Sequence, residues 1–262
     1  MLVREELEKI GKEATKYLRE LRENPSSTQI IGYHNGDTTR VADKRSEDYI
    51  FELLKTTGHN FLFVSEESGA VKTSENYDYI AIIDPLDGSS NYVAGIPWSS
   101  VSIALYDKNT QSFLDSSLGV VAEVFGNNIY SYDLNGAYKN GQLVEKSNKK
   151  PANIAIIYYE REQINKISQI LAKLGKIKIR SLGSASLDMI KVCLGDAIFF
   201  ADLRKKLRNV DIAASSSFCK RLSMIPLDEK GRPIENSLTT VSEFSEVYLS
   251  TPDILYNILK DL

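Results

Sequence analysis

Histidine and cysteine are scarce in this sequence, with two of each in 262 residues. His34 and His59 have no partner at metal-ligand spacing, which argues against His-dominated zinc chemistry and against a Ser-His-Asp triad. Cys193 and Cys219 form no C-x-x-C pair and sit in apolar or helix-like surroundings, so two buried free thiols are expected. Long apolar runs are missing too. None approaches the length of a membrane span, and the N-terminal MLVREELEKI carries acid where a signal peptide needs an apolar stretch. A cytoplasmic chain with no membrane partner is expected. There is no basic excess either, since the net charge is −3. The only basic cluster, Arg204, Lys205, Lys206 and Arg208, reads as a solvated or phosphate-facing loop, so no nucleic-acid partner is expected. Internal repeats and low-complexity tracts are also lacking. What remains for chemistry is carboxylate.

The richest carboxylate stretch is Ile80–Tyr92, IAIIDPLDGSSNY. Ile80–Ile83 reads as a short buried strand that Pro85 stops. Asp84 and Asp87 follow at its end, and Gly88, Ser89, Ser90 and Asn91 are turn and helix-capping residues. Two carboxylates at a strand end can hold a hard divalent cation through oxygen. The backbone N–H groups of Gly88, Ser89 and Ser90 can hold an anion at the positive end of a helix dipole. A plain β-turn is the competing reading of D-P-x-D-G. A second strand, Phe61–Val64, also ends in acid, at Glu66-Glu67.

Elsewhere the pattern is mixed α/β. Residues 1–23 form an amphipathic helix, with Leu7, Ile10, Ala14, Leu18 and Leu21 on one face. Residues 32–42 read as a polar loop that is either a surface turn or a mobile active-site segment, and Asp43 begins the next helix. Val101–Tyr106, Ser117–Val124, Asn128–Tyr132 and Gly136–Tyr138 form an antiparallel meander. The linker-like Lys146–Pro151 divides an N-terminal part, residues 1–145, from a C-terminal α/β part, residues 146–262. The second part alternates strand Ile154–Tyr158, helix Arg161–Leu174, strand Ile177–Ile179, helix Ser184–Leu194, strand Ala197–Ala201 and helix Val210–Leu222. Short strands near Met224–Pro226 and Glu246–Leu249 and a helix Pro252–Leu262 complete it. Arg180–Ala185 offers another helix start that could face an anion, and Asp211 lies in the first turn of the Val210–Leu222 helix, where it suits the dipole.

The set E66-E67, D84-P-L-D87-G-S-S-N91, G183-S-A and D211-I-A-A, in this order along nearly the whole chain, resembles the inositol monophosphatase superfamily. Within it the chain is most similar to archaeal-type enzymes acting as inositol-1-phosphatase and fructose-1,6-bisphosphatase. The resemblance implies a layered αβαβα sandwich of the sugar phosphatase type and a homodimer. It places metal ligands on Glu66, Asp84, the carbonyl of Leu86, Asp87 and Asp211, for two or three Mg²⁺ ions, with Mn²⁺ possible. It implies catalytic roles for Glu66, Ser89, Asp37 and Asp43, with Asp43 holding water around a further ion. Substrate contacts fall on Asp87, Gly88, Ser89, Ser90, Gly183, Ser184, Ala185, Asp202 and Asp211. Two positions depart from many relatives, Val210 where Trp is common and Leu222-Ser223-Met224 where two glycines are common.

The expected reaction is hydrolysis of a small sugar or polyol phosphate monoester by metal-activated water. A 3′-phosphoadenosine 5′-phosphate phosphatase of the same superfamily is the rival enzyme. A non-catalytic regulatory or RNA-associated protein on this fold is the rival outside enzymology.

Overall fold

Alternation along the strands decides the architecture. A computed structural model describes residues 2–34, 37–146 and 150–260. Its helices are α1 (Arg4–Arg22), α2 (Val41–Lys55), α3 (Ser89–Ala94), α4 (Ile164–Leu174), α5 (Ala185–Cys193), α6 (Asn209–Arg221) and α7 (Pro252–Leu259). Strands β1 (Ile30–His34) and β2 (Asp37–Arg40) pair with each other. Strands β3 (Phe61–Ser65), β4 (Gly69–Lys72), β5 (Tyr79–Asp87), β6 (Ser100–Asp107), β7 (Leu118–Glu123), β8 (Ile129–Tyr132), β9 (Ala137–Lys139) and β10 (Gln142–Val144) form an 8-stranded sheet in the order β10-β9-β8-β7-β6-β5-β3-β4. Strands β11 (Ile154–Tyr158), β12 (Lys178–Arg180), β13 (Phe199–Asp202) and β14 (Val247–Ser250) form a 4-stranded sheet in the order β12-β11-β13-β14.

On β5, Ala81 and Ile83 face a core shared with α1 and α2, whereas Ile80 and Ile82 face a core shared with α5 and α6. The same period-2 split on β11 sends Ile156 toward α5 and α6, and Ala155 and Ile157 toward α4 and α7. Both sheets are therefore covered on two faces, and their strands read as continuous apolar runs. The result is a stack of helices, sheet, helices, sheet, helices, the layered mixed α/β arrangement that the resemblance implies. Within it β3 runs parallel to β5, and β11 parallel to β13, so the C-terminal ends of each pair point the same way.

Several expectations change. Pro85 does not stop the strand. β5 continues to Asp87, and the register irregularity between Asp84 and Asp87 absorbs the missing N–H. Residues 32–42 are not a plain loop, because β1 and β2 pair antiparallel across this stretch and α2 starts at Val41 rather than Asp43. β4 and β10 were not anticipated. Met224–Pro226 makes no strand, and two isolated bridges form next to it at Leu227, to Pro233 and to Tyr248. The cysteines are not free. Packing of α5 on α6 brings the Cys193 and Cys219 Cα atoms to 5.4 Å, and the two are joined as a disulfide. Residues 147–149 of the expected linker, and residues 261–262 of the expected last helix, lie outside the described residues. Among the described residues no helix is long and apolar enough to cross a membrane.

Candidate metal and phosphate site

Three carboxylates converge from three elements. Glu66 follows β3, Asp84 lies on β5, and Asp211 is the third residue of α6. Each offers an oxygen, and these oxygens all lie within 4.8 Å of one another. Local rules hold each in place. The Leu86 N–H donates to Asp84 Oδ1 at 3.0 Å, and the Arg208 N–H donates to Asp211 Oδ2 at 2.7 Å, a capping bond at the start of α6. The Ser186 hydroxyl donates to the Asp211 carbonyl at 2.7 Å, which ties α5 to α6 at the site.

Asp87 sits beside this cluster with a different set of partners. Its carboxylate accepts from Ser184 Oγ at 2.6 Å, Ser100 Oγ at 3.3 Å, Ala185 N at 3.1 Å and Ser186 N at 2.9 Å. It thereby caps the N-terminus of α5 from outside the helix. Burial still dominates and pushes Asp87 up to about 7 against those bonds. Asp84 is held well above the ordinary carboxylate range by burial, with Glu66, Asp87 and Asp211 adding in the same direction. Glu66 is raised by burial, and Arg208 opposes the shift. Unlike the others, Arg208 is a cation inside the cluster. Its Nη2 hydrogen-bonds Glu66 Oε1 and lies 3.5 Å from Asp211 Oδ1.

The cluster opens into a cavity of about 260 Å³ lined by Glu66, Asp84, Leu86, Asp87, Gly88, Ser89, Ser90, Tyr158, Gly183, Ala185, Arg204, Lys206, Leu207, Arg208 and Asp211. Gly88 is the residue before α3, with φ at 86°. A Cβ there would stand 2.8 Å from the Gly183 carbonyl oxygen and 2.9 Å from that of Trp98. The first hydrogen bond of α3 is Tyr92 N–H to Gly88 C=O, so the N–H groups of Ser89 and Ser90 precede the helix's own bonding. Gly183, at φ 98°, is pressed against Asn91, whose amide donates to the carbonyls of Trp98 and Leu182 at 2.7 Å each.

Most residues expected at the site therefore meet around one cavity, with some differences of role. Ser184 is fully buried and faces Asp87 rather than the cavity. Asp202 is also buried, and Arg204 grips it from the next turn, Nε at 3.1 Å and 3.2 Å from its two oxygens. Arg204, not Asp202, reaches the cavity, with its guanidinium 4.5 Å over the Tyr158 ring. Asp43 lies in the first turn of α2, accepts from the Arg40 N–H at 2.7 Å, and is pushed up to about 7 by burial, with the nearby Glu67 charge adding to the rise. It is not among the three carboxylates of the cluster. The Asp37 side chain lies outside the described residues.

Tyr158, Leu207 and the role of Arg208 were not anticipated. Tyr158 ends β11, and the parallel β11–β13 pairing puts it level with Asp202. Its hydroxyl donates to Asp188, which the Trp98 indole N–H also reaches at 2.8 Å, and it accepts from the Gly183 N–H at 2.5 Å. Asp188 is fully buried, and burial pushes it up to about 8. The available signal was positional, because ligands in α/β proteins gather at the carboxyl ends of parallel strands.

A set of oxygen donors on one buried and two half-buried, mutually repelling carboxylates fits a hard divalent cation. The model of the inositol monophosphatase family matches residues 3–221. The inositol-1-monophosphatase of Aeropyrum pernix is 33% identical over 255 residues, covering 95% of this chain and 93% of that protein. The fructose-1,6-bisphosphatase/inositol-1-monophosphatase of Methanocaldococcus jannaschii is 30% identical over 257 residues, covering 97% of this chain and 96% of its own. The crystal structure of an inositol monophosphatase–fructose 1,6-bisphosphatase superposes with a TM-score of 0.82 at 28% identity and covers 100% of both chains.

Proposed function

The chain belongs to the inositol monophosphatase family, and from that premise we propose that it releases inorganic phosphate from small sugar or polyol phosphates in the presence of Mg²⁺. Fructose-1,6-bisphosphate and inositol-1-phosphate are the substrates proposed. The observation that carries the reading is the convergence of Glu66, Asp84 and Asp211 on a cavity that Ser89 and Ser90 also line. When bound, divalent ions supply Lewis-acid polarisation of the phosphoryl oxygens and lower the pKa of the attacking water.

The chain's own residues then do the following. Glu66, Asp84 and Asp211, with Asp87 and the Leu86 carbonyl, would hold the ions. The N–H groups of Ser89 and Ser90 orient the phosphoryl group, and Ser89 Oγ with Glu66 orients the attacking water. Arg204 and Lys206, paired with Asp202 and Glu160, also line this cavity. Their N–H groups are the donors that a second phosphate would meet, which supports a bisphosphate among the substrates.

An activity panel tests this. Phosphate release is measured on fructose-1,6-bisphosphate, inositol-1-phosphate and 3′-phosphoadenosine 5′-phosphate, each with Mg²⁺, with Mn²⁺ and with EDTA. Release from the first two that EDTA abolishes is the expected outcome. Preference for the bisphosphonucleoside would overturn the substrate assignment, and no release from any of the three would overturn the reaction.

A further inference from the structure

We propose that the Arg208 guanidinium is a resident counter-cation of the carboxylate cluster, displaced when a divalent ion binds, so that Arg208 sets the metal affinity of the site. This rests on reading the cluster as a metal centre.

Three carboxylates within 4.8 Å, drawn from three different elements, repel one another strongly once they are out of bulk water. Folding can relieve this by protonating them or by bringing in a cation. Arg208 brings the cation. Burial opposes its charge, but Asp211, Glu66 and Asp84 outweigh that and hold the guanidinium more firmly protonated than usual. An arginine cannot neutralise itself by losing a proton, so it has to be moved, not titrated.

Only the side chain needs to move. The backbone of Arg208 is pinned by its N–H bond to Asp211 Oδ2 at 2.7 Å and by an isolated bridge to Glu243. Its neighbours Leu207 and Asn209 are buried. The side chain itself is 19% exposed and borders the cavity, so it has a way out. The guanidinium and an incoming ion would share Glu66 and Asp211, and two cations on the same pair of carboxylates repel. The ion therefore binds the form in which Arg208 has left. Its apparent affinity is lowered by the fraction of time that Arg208 stays in. Once out, the guanidinium faces the space that a phosphate would enter.

The test is calorimetric titration of Mn²⁺ into the metal-stripped full-length chain, comparing wild type with Arg208→Gln and Arg208→Lys. Arg208→Gln is expected to bind Mn²⁺ about tenfold more tightly, as removal of a competitor populated about nine-tenths of the time would require. Its metal-free form is expected to melt at lower temperature than wild type. Arg208→Lys keeps the charge and is expected to stay close to wild type in affinity. A residue that merely shaped the site would weaken Mn²⁺ binding when replaced, so unchanged or weaker binding by Arg208→Gln overturns the proposal. If Arg208→Gln does not fold, a crystal structure of wild type with Mn²⁺ decides. An Arg208–Glu66 pair still intact beside an ion on Glu66, Asp84 and Asp211 also overturns it. Failure of wild type to bind Mn²⁺ at all would overturn the metal reading itself, a result distinct from either.

Discussion

Gly88 carries more of the site than its lack of a side chain suggests. It joins Asp87, which caps α5, to Ser89, which opens α3, and it does so at φ 86°. The backbone carbonyls of Gly183 and Trp98 would stand 2.8 Å and 2.9 Å from a Cβ, and neither can give way like a flexible side chain. Gly88→Ala therefore meets both the left-handed penalty and a backbone clash. A loss of about 2 to 3 kcal/mol in unfolding free energy is expected, from strain and overpacking together. Turnover is expected to fall about 100-fold, because relief of the clash pushes the Asp87–Ser90 segment away from Gly183 and the reacting groups lose alignment. Urea denaturation and steady-state kinetics on the same preparation check both numbers. Wild-type turnover in a folded Gly88→Ala protein would show that the close approach to Gly183 does not position the site.

The disulfide acts at the scale of elements. α5 presents its N-terminal N–H groups to Asp87, α6 presents Asp211 to the cluster, and Cys193–Cys219 joins the two helices. Closing a loop of 26 residues stabilises a fold by about 3.5 kcal/mol in the chain-entropy account. Cys219→Ser is expected to lower unfolding free energy by about that amount, and wild type in dithiothreitol is expected to match the variant. If the variant and the reduced wild type were both as stable as the oxidised protein, the bond would contribute nothing to the fold. This bond also marks where the sequence is silent. Cysteine spacing says nothing about it because helix packing makes the pair. The buried strands and the acids at their ends were legible, since apolar runs such as Phe61–Val64 and Ile80–Ile83 have a local cause. The β1–β2 pairing was not, because Asp37–Arg40 is polar and its strand character depends on the partner strand Ile30–His34. The course of β5 through Pro85 was hidden for a related reason. Proline there is tolerated only because the pairing with β6 is irregular between Asp84 and Asp87, and register is a property of two strands. Tyr158 looks ordinary in sequence and Arg208 reads there only as part of a basic cluster, and only the folded chain brings them to Asp188 and Glu66.

Seen across the whole molecule, the site is where the layers meet. Glu66 and Asp84 come from the ends of the parallel pair β3 and β5, Asp211 from the helical layer between the sheets, and Tyr158 from the end of β11 in the second sheet. Charge at this junction therefore acts on the stability of the entire stack. Burial lifts Asp87 from its ordinary 3.8 to about 7, and lifts Asp84 and Glu66 in the same direction. Between those values the metal-free folded chain holds more protons than the unfolded one, so its stability falls as pH rises through the window. Each group contributes up to about 1.4 kcal/mol for every pH unit of difference between its folded and unfolded values. A divalent ion reverses the balance, because its ligands must be deprotonated and its binding to the folded form alone adds stability by mass action. Scanning calorimetry of the metal-stripped and Mn²⁺-loaded protein at pH 6 and pH 8 is the measurement. The rise in Tm on loading is expected to be larger at pH 8, partly because the metal-free protein melts lower there and partly because the ion no longer competes with protons. A rise that is equal at the two pH values, or smaller at pH 8, would mean that the buried carboxylates at this junction are not the groups that link the metal to the fold.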